Sequence, residues 1–419
     1  MLHSSSSPWP RRIRLSSLVL AAGVIYALLY MRTSYEITML QAFRINSFQL
    51  GQCYSLLGVF LTLGYIPSGW LADRISPRIL LSSSLLLTGL LGMWFWTLPD
   101  LTSLRIIFAG WGITAGMMFW GALIKQTNLI AHKDEQGRYF GILEGGRGVV
   151  EALVYTMAAS VFAWLVSTGD STVDAFKSII LVFVGFIFFA SAVCFFSLKQ
   201  LPHEQGEEDQ EVTHRDTFGD LKTIFKIKEV WLMALVIFGG YQVFYAVFSL
   251  SAFMQSELGL SAVMVGWISA ARLWMRAIAP IAAGFLGDYW GVGRAASVVI
   301  ALSSVLLVVI SFMSENTPVT VVFVVALAIG IFTFAIRGLY WGTLNDCGIP
   351  LRVRGLAIGV ISFIGYTPEM FSPLVSGYLV EAYPGKAGYA YYFIYSAVIG
   401  MLGTFAAWKL FQARKTRLQ

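Results

Sequence analysis

Two stretches decide the reading of this chain: GWLADRISPR at residues 69–78 and GFLGDYWGVGR at residues 284–294. Each follows a long apolar run. Each reads glycine, aromatic, leucine, small residue, aspartate, then a basic residue: Gly69, Asp73, Arg74 and Arg78 in the first copy, Gly284, Asp288 and Arg294 in the second. The correspondence continues along the chain. Phe119-Trp120-Gly121 matches Tyr340-Trp341-Gly342, and Gly137, Gly141 and Glu151 match Gly355, Gly359 and Glu369 at constant offset. Three matches in the same order describe a duplicated unit. Parallel repeats of this size are built in one transporter architecture, with the solute site near mid-membrane.

The duplication is written in apolar residues. Of 419 residues, 57% are apolar and 12% charged, against about 25% charged in a soluble domain. The solvent is therefore mostly lipid. A spanning helix needs about 20 mostly apolar residues. Twelve segments meet that need, at about 17–40, 49–71, 79–97, 104–130, 138–166, 176–198, 230–254, 261–287, 295–313, 318–344, 355–380 and 388–411. The expected fold is all-α and polytopic. Two six-helix halves, 17–198 and 230–412, flank a polar cytoplasmic linker at 199–229 whose core is HEQGEEDQEVTHRD. The basic start MLHSSSSPWPRRIR precedes an apolar run too long for a signal-peptide core, so this run is expected to stay as the first helix.

Lysine and arginine orient the spans. If the first loop side holds the N-terminus, nineteen basic residues fall on that side, among them Arg11, Arg12, Arg14, Arg74 and Arg78. Four fall on the other: Arg44, Arg105, Lys177 and Lys386. Both termini are expected in the cytoplasm. The net charge of +6 is thus a topology signal and gives no reason to expect nucleic acid. Cys53, Cys194 and Cys347 show neither metal-ligand spacing nor a disulfide framework. No phosphate-binding G-x-x-x-x-G-K-[ST] loop, haem, iron–sulfur or zinc spacing occurs. Neither an enzyme nor an ATP-driven pump is expected, and no cofactor or metal.

Charges inside a bilayer are expensive and mark function. Span 1 carries Arg32 and Glu36, one turn apart. Span 5 carries Glu144, Arg147 and Glu151 on one face, and span 8 carries Arg272 and Arg276. Span 10 carries Arg337 and span 11 carries Glu369. Arginine keeps its charge and grips carboxylate or phosphate through two parallel bonds, so the set suggests an anion site. Arg32 either meets solute or pairs with Glu36. Tyr30, with Tyr26 and Tyr35, offers hydroxyls beside it. Gln242 and Tyr245 on span 7 and Trp341 on span 10 are further polar and aromatic candidates. Glu151 and Glu369, equivalent in the repeat, suit a coupling proton. Pro368 beside Glu369, and Pro280 after Arg276, suggest bending at the charges.

The G-x-L-x-D-R-x-x-x-R loop, its repetition, the twelve spans and the central linker together resemble the major facilitator superfamily over about residues 17–411. The resemblance implies alternating access by a monomer in a bacterial inner membrane. It implies spans 1, 4, 7 and 10 around the solute, and the repeated loop as a cytoplasmic latch through Gly69, Asp73, Arg74, Arg78, Asp288 and Arg294. It also places spans 5 and 8 face to face, where Glu144 or Glu151 would pair with Arg272 or Arg276 in a gate. Tyr30-Met31-Arg32 is similar to the organophosphate and organic-anion branch, and the DEQGRYFG stretch at 134–141 resembles its uncharacterised bacterial relatives. That branch places a second arginine on span 7, where this chain has Phe244; Arg272, Arg276 or Arg337 is left to supply the charge. The expected partners are a small anionic solute such as a sugar phosphate, sugar acid or carboxylate, a coupling proton or counter-anion, and lipid. The competing reading is a proton-coupled drug antiporter, which in that group carries proline in span 5; here Gly145, Gly146 and Gly148 stand without one. A non-transporting sensor would need an output domain, and the linker is too short for one.

Overall fold

The computed structural model describes residues 8–131, 135–198, 222, 224–347, 349 and 354–418. Among these residues all regular structure is helical. Twelve helices are long and apolar enough to cross a membrane. Their limits follow the hydropathy closely: span 5 is Arg138–Ser167 and span 12 is Lys386–Thr416.

In chain order the elements are α1 (Pro8–Leu29) and α2 (Arg32–Phe43) in span 1, α3 (Ser47–Arg74) in span 2 and α4 (Pro77–Trp96) in span 3. Span 4 is α5 (Leu101–Gly112), a π-helical stretch Ile113–Trp120, and α6 (Gly121–Ile130). Spans 5 and 6 are α7 (Gln136–Ser167) and α8 (Thr172–Ser197). Span 7 is α9 (Lys228–Ala246), a 3₁₀ turn Val247–Ser249, and α10 (Leu250–Ser256). Spans 8 and 9 are α11 (Ala262–Trp290) and α12 (Val292–Ser311). Span 10 is α13 (Val319–Leu339) followed by a 3₁₀ stretch Tyr340–Cys347. Span 11 is α14 (Arg354–Gly365) and α15 (Pro368–Ala382), and span 12 is α16 (Lys386–Leu418).

Helix starts are set by local chemistry. Asp100 caps α5 by accepting from the Thr102 N–H at 3.2 Å, and Ser171 and Ser261 cap α8 and α11 in the same way. Pro77 and Pro368 sit in first turns, where their missing N–H costs nothing. The irregular stretches have positional meaning. Spans 1, 4, 7, 10 and 11 each carry a break or a change of helix type. Such segments recur at functional sites and are tolerated in a membrane where protein surrounds them. Pro368 marks the break in span 11, as its neighbouring charge suggests. Pro280 lies inside α11, which runs on through it as one helix.

Within the described residues the chain divides into two compact units. The first comprises Met1–Met31, Gln41–Arg44 and Leu56–Glu207; the second comprises Arg32–Leu40, Ile45–Ser55 and Glu208–Gln419. In the first, α1 packs on α7 and α8, and α4 on α8. Phe95, Phe108, Trp111 and Phe176 meet ring to ring in its core. Gly116 in the π stretch lies so close to Leu61 that a Cβ would reach 2.8 Å from the Leu61 Cα, so the two backbones touch directly. In the second unit, α9 and α12 pack on α16, and α11 along α13. Val243, Leu250, Phe253, Val265, Leu307, Ile329 and Phe393 are buried together in its core.

Candidate functional site

The second unit holds two polar clusters of different build. The first begins at Arg32, which starts α2 just after the Tyr30–Met31 break. Its guanidinium meets the Glu36 carboxylate at 2.7 Å, with both side chains almost fully buried. Of the two sequence readings of Arg32, partnership with Glu36 is thus formed. Tyr35, between them, leaves helical geometry (φ −130°, ψ 28°). The same Arg32 Nη2 donates to Ser376 Oγ at 3.0 Å and Ser249 Oγ at 3.2 Å, and these two serines bond each other at 2.7 Å. The Arg32 N–H donates to the Tyr54 hydroxyl, and its carbonyl accepts from Ser251. Arg272 is also buried here. It donates to the Val247 carbonyl at 3.1 Å and to the Thr33 hydroxyl. Its stem runs over Gly330, where any Cβ would collide with it. Arg276 follows one turn later on α11 and is half-buried. The cluster is thus a tie of segment 32–55 to the 3₁₀ turn of span 7 and to α11 and α15. Ser55 bonding the Met370 carbonyl, and Ser47 N–H donating to Glu381 at 2.8 Å, extend it.

Gln242 is fully buried and donates to Ser372 and Ser396 at 3.0 and 2.9 Å. Its amide nitrogen is thus satisfied by protein, as a buried amide requires.

The second cluster is aromatic. The Arg337 guanidinium lies 5.0 Å over the ring of Phe244. Phe244 is the span 7 residue at which the sequence resemblance led to an arginine being expected, and Arg337 of span 10 lies over it. Phe244 contacts Tyr241, Tyr245 and Phe248, at ring separations between 5.5 and 5.9 Å. Tyr241 touches Tyr366 at 4.8 Å and donates its hydroxyl to Glu369 at 3.2 Å. Trp341 donates its indole N–H to the Tyr366 hydroxyl at 3.0 Å, and the hydroxyls of Tyr340 and Tyr366 are 3.4 Å apart. Tyr241, Tyr245, Tyr340 and Glu369 are buried; Phe244, Arg337, Trp341 and Tyr366 are half-buried. Tyr366 was not legible as a site residue. The available signal was its place two residues before Pro368, in the turn that separates α14 from α15.

In the first unit, Arg147 and Glu151 are buried on α7, and Glu144 is exposed at one end. Arg147 pairs with Glu144 at 3.3 Å, and its guanidinium lies 4.6 Å over Tyr26 and 5.9 Å from the Trp120 ring. Tyr26 stacks on Tyr30 at 5.9 Å. Trp120 and Trp341 are equivalent in the repeat, as are Glu151 and Glu369. Each unit therefore sets a tryptophan of its irregular span near polar groups on its broken or glycine-rich neighbour.

The repeated loop is engaged as well. Asp73 pairs with Lys125 of α6 at 3.1 Å. Gly69 lies four residues earlier, with open space where a Cβ would be. Arg74 covers Trp70 at 4.0 Å; Arg78 covers Phe195 at 4.1 Å and donates to its carbonyl at 2.6 Å. Asp288 is exposed and lines a cavity of ≈ 430 Å³ with Gly291, Arg414 and Lys415, while Arg294 lies 5.8 Å from the Trp290 ring. Among the described residues no group of histidine, cysteine and carboxylate side chains is placed to hold a metal.

Comparison with known proteins places this geometry. The family model described as Major Facilitator Superfamily matches residues 15–346. The chain is 28% identical over 399 residues to the inner membrane protein YihN of Escherichia coli K12, covering 93% of this chain and 91% of that protein. It is 28% identical over 428 residues to the inner membrane protein YqcE of the same organism, covering 99% and 97%. Among solved structures it is similar to a bacterial homologue of the human lysosomal transporter Spinster, with TM-score 0.73, 15% identity and coverage of 99% and 98%. The nucleoside transporter NupG gives TM-score 0.72 at 15% identity, covering 96% and 100%.

Proposed function

Because the chain belongs to the Major Facilitator Superfamily, and so moves a solute across its membrane by alternating access, we propose that this solute is a small organic anion. The observation that carries the proposal is the charge of the second unit. The interiors of its spans hold four arginines, Arg32, Arg272, Arg276 and Arg337, against two glutamates, Glu36 and Glu369. Positive charge at membrane depth is costly, and an anion relieves that cost when it enters. Arg337 is the arginine best placed to meet it: half-buried, held against an aromatic ring, and on a span whose backbone changes type directly after it. Tyr245, Trp341 and Tyr366 wall the same corner. Arg32 and Arg272 act from behind, fixing segment 32–55 to spans 7, 8 and 11.

Glu151 and Glu369 are the candidates for a coupling proton, with Glu144 and Arg147 as a gating pair and Glu36 holding Arg32 in the tie. The membrane is the bacterial inner membrane, with both termini in the cytoplasm. The loop residues Gly69, Asp73, Arg74, Arg78, Asp288 and Arg294 form the latch on that face.

The test is ligand-induced thermal stabilisation of the detergent-purified protein. The panel holds sugar phosphates, sugar acids, dicarboxylates and lipophilic cations, each measured on the wild type and on Arg337→Gln. A ligand that binds the folded state raises the melting temperature by mass action. The proposal expects an anion to stabilise the wild type and the shift to shrink in Arg337→Gln. Stabilisation by lipophilic cations alone, unchanged in the variant, would replace it with drug efflux.

A further inference from the structure

The cavity lined by Asp288, Arg414 and Lys415 has no part in the solute reading. We propose that it seats the phosphodiester headgroup of a singly charged anionic phospholipid, with the acyl chains along the exposed apolar faces of α11 and α16.

The cavity lies where four elements of the second unit meet: the end of α11, the start of α12, the 3₁₀ stretch after α13 and the last turns of α16. Gly291 makes the meeting possible. It ends α11 with φ +87°, a conformation that favours glycine. A Cβ there would come within 3.2 Å of the Phe411 ring, so the turn is laid directly on α16. At ≈ 430 Å³ the cavity has the size of a small-ligand site, about 300–1,000 Å³.

Charge selects the ligand. Two cations, Arg414 and Lys415, line the cavity against one carboxylate, Asp288. In the first unit the matching Asp73 is neutralised by Lys125 of span 4. The offset that relates Trp120 to Trp341 relates Lys125 to Asp346, so span 10 has an acid where span 4 has its cation. The cations at Asp288 come from α16 instead, and they leave a formal excess of one positive charge. A phosphodiester brings the lining to neutrality, whereas a zwitterionic headgroup leaves the excess in place. Exposed Lys415 makes the principal contact, donating from Nζ to a phosphate oxygen. Arg414 also interacts within the protein, and its charge acts on the cavity through space whatever its hydrogen bonds.

Position selects a lipid over a soluble phosphate. Lys415 lies four residues past the apolar run that ends at Phe411, about 6 Å further along the helix. That is the depth of the headgroup layer beside the hydrocarbon core. Ile278, Ile281 and Phe285 are exposed along α11 up to the turn before Asp288. Leu402, Phe405 and Trp408 are exposed along α16 up to the turn before Phe411. Residues three and four apart share a helix face, so each apolar stripe runs into the charged lining. Basic pockets between spans at a membrane surface recognise phosphate headgroups in this way.

The experiment measures apparent affinity of the full chain in mixed micelles for phosphatidylglycerol, phosphatidylethanolamine and phosphatidylcholine. Separate arms use sn-glycerol 3-phosphate and inorganic phosphate. Variants are Lys415→Gln, Lys415→Arg and Lys409→Gln, the last making the same charge change on α16 outside the cavity lining. Each is checked for a melting temperature near that of the wild type. One basic residue beside an anionic headgroup is worth about fivefold in affinity. Phosphatidylglycerol should therefore bind about fivefold or more tighter than the two zwitterionic lipids. Lys415→Gln should remove about fivefold, while Lys415→Arg and Lys409→Gln stay within about twofold. Phosphatidylethanolamine binding as tightly as phosphatidylglycerol overturns the charge assignment. Glycerol phosphate or inorganic phosphate binding as tightly as the lipid overturns the lipid assignment, leaving a soluble-anion site. Equal losses in Lys415→Gln and Lys409→Gln overturn the cavity as the site, because the attraction then belongs to the whole basic end of α16.

Discussion

Arg32 and Arg337 are the same side chain in spans of the same unit, yet their surroundings give them different work. Arg32 is sealed. One carboxylate, two serines and a tyrosine gather around it, and its side chain is 3% exposed. Arg337 is half-buried over an aromatic ring, with phenols and an indole nearby. An ion pair inside protein is held by its partners, and removing one leaves the other buried and uncompensated. A guanidinium on a ring face is held by a weaker attraction than a buried ion pair. Burial depth alone would rank Arg32 above Arg337, whereas the proposed solute contact falls on the half-buried Arg337.

The larger stake in stability lies at Arg32. Arg32→Ala leaves Glu36 in the protein interior without its cation, and should cost about 3–5 kcal/mol of stability. The checks are the melting temperature in detergent and its recovery in Arg32→Ala/Glu36→Ala. A variant that melts like the wild type would show that the pair is not the structural tie described here. At Arg337 the order of effects reverses. Arg337→Gln should lower anion affinity by about 1.5–3 kcal/mol, the value of a charged hydrogen bond, while the unliganded protein loses about 1 kcal/mol or less. Calorimetric titration beside a melting curve separates the two numbers. Equal losses in both would erase the contrast with Arg32.

The serine pair around Arg32 makes a smaller contribution. Ser249→Ala and Ser376→Ala each remove a hydrogen bond to Arg32 and the bond between them. Each should cost about 1 kcal/mol, and the double variant less than the sum, because the two share one partner. Additive losses would mean that the serines act independently. The smallest effect belongs to an exposed pair. Lys125 and Asp73 meet at 3.1 Å with side chains 33% and 74% exposed. Lys125→Ala should cost well under about 1 kcal/mol of stability and fade further with salt. A loss as large as that of Arg32→Ala would mean that the loop is bound far more tightly than its exposure implies.

Much of this molecule was legible in the chain because membrane folding writes its first decision locally. A span is a length of apolar sequence, and the helix satisfies its backbone within itself, so twelve spans could be read without knowing what touches what. The duplication was legible for the same reason: GWLAD and GFLGD, Trp120 and Trp341, and Glu151 and Glu369 are matched by position alone. The i, i+4 spacing of Arg32 and Glu36 made their pairing one of two readings, because helix periodicity places them on one face.

What the tertiary structure decided is everything that depends on a neighbour far along the chain. Ser249 and Ser376 reach Arg32 across 217 and 344 residues, a choice no local pattern encodes. Phe244 looked like an arginine missing from span 7, and only packing shows Arg337 of span 10 laid over it. The turn at Tyr366–Thr367 and the π stretch at Ile113–Trp120 are local in extent but depend on surrounding protein to satisfy or shield the backbone, so composition does not announce them. The sequence by itself determined which segments cross the membrane and where the charges sit along them, because apolar length and helical period are properties of a single segment. The partners those charges take arise only when segments pack, because in a medium of low dielectric a charge is defined by the groups around it.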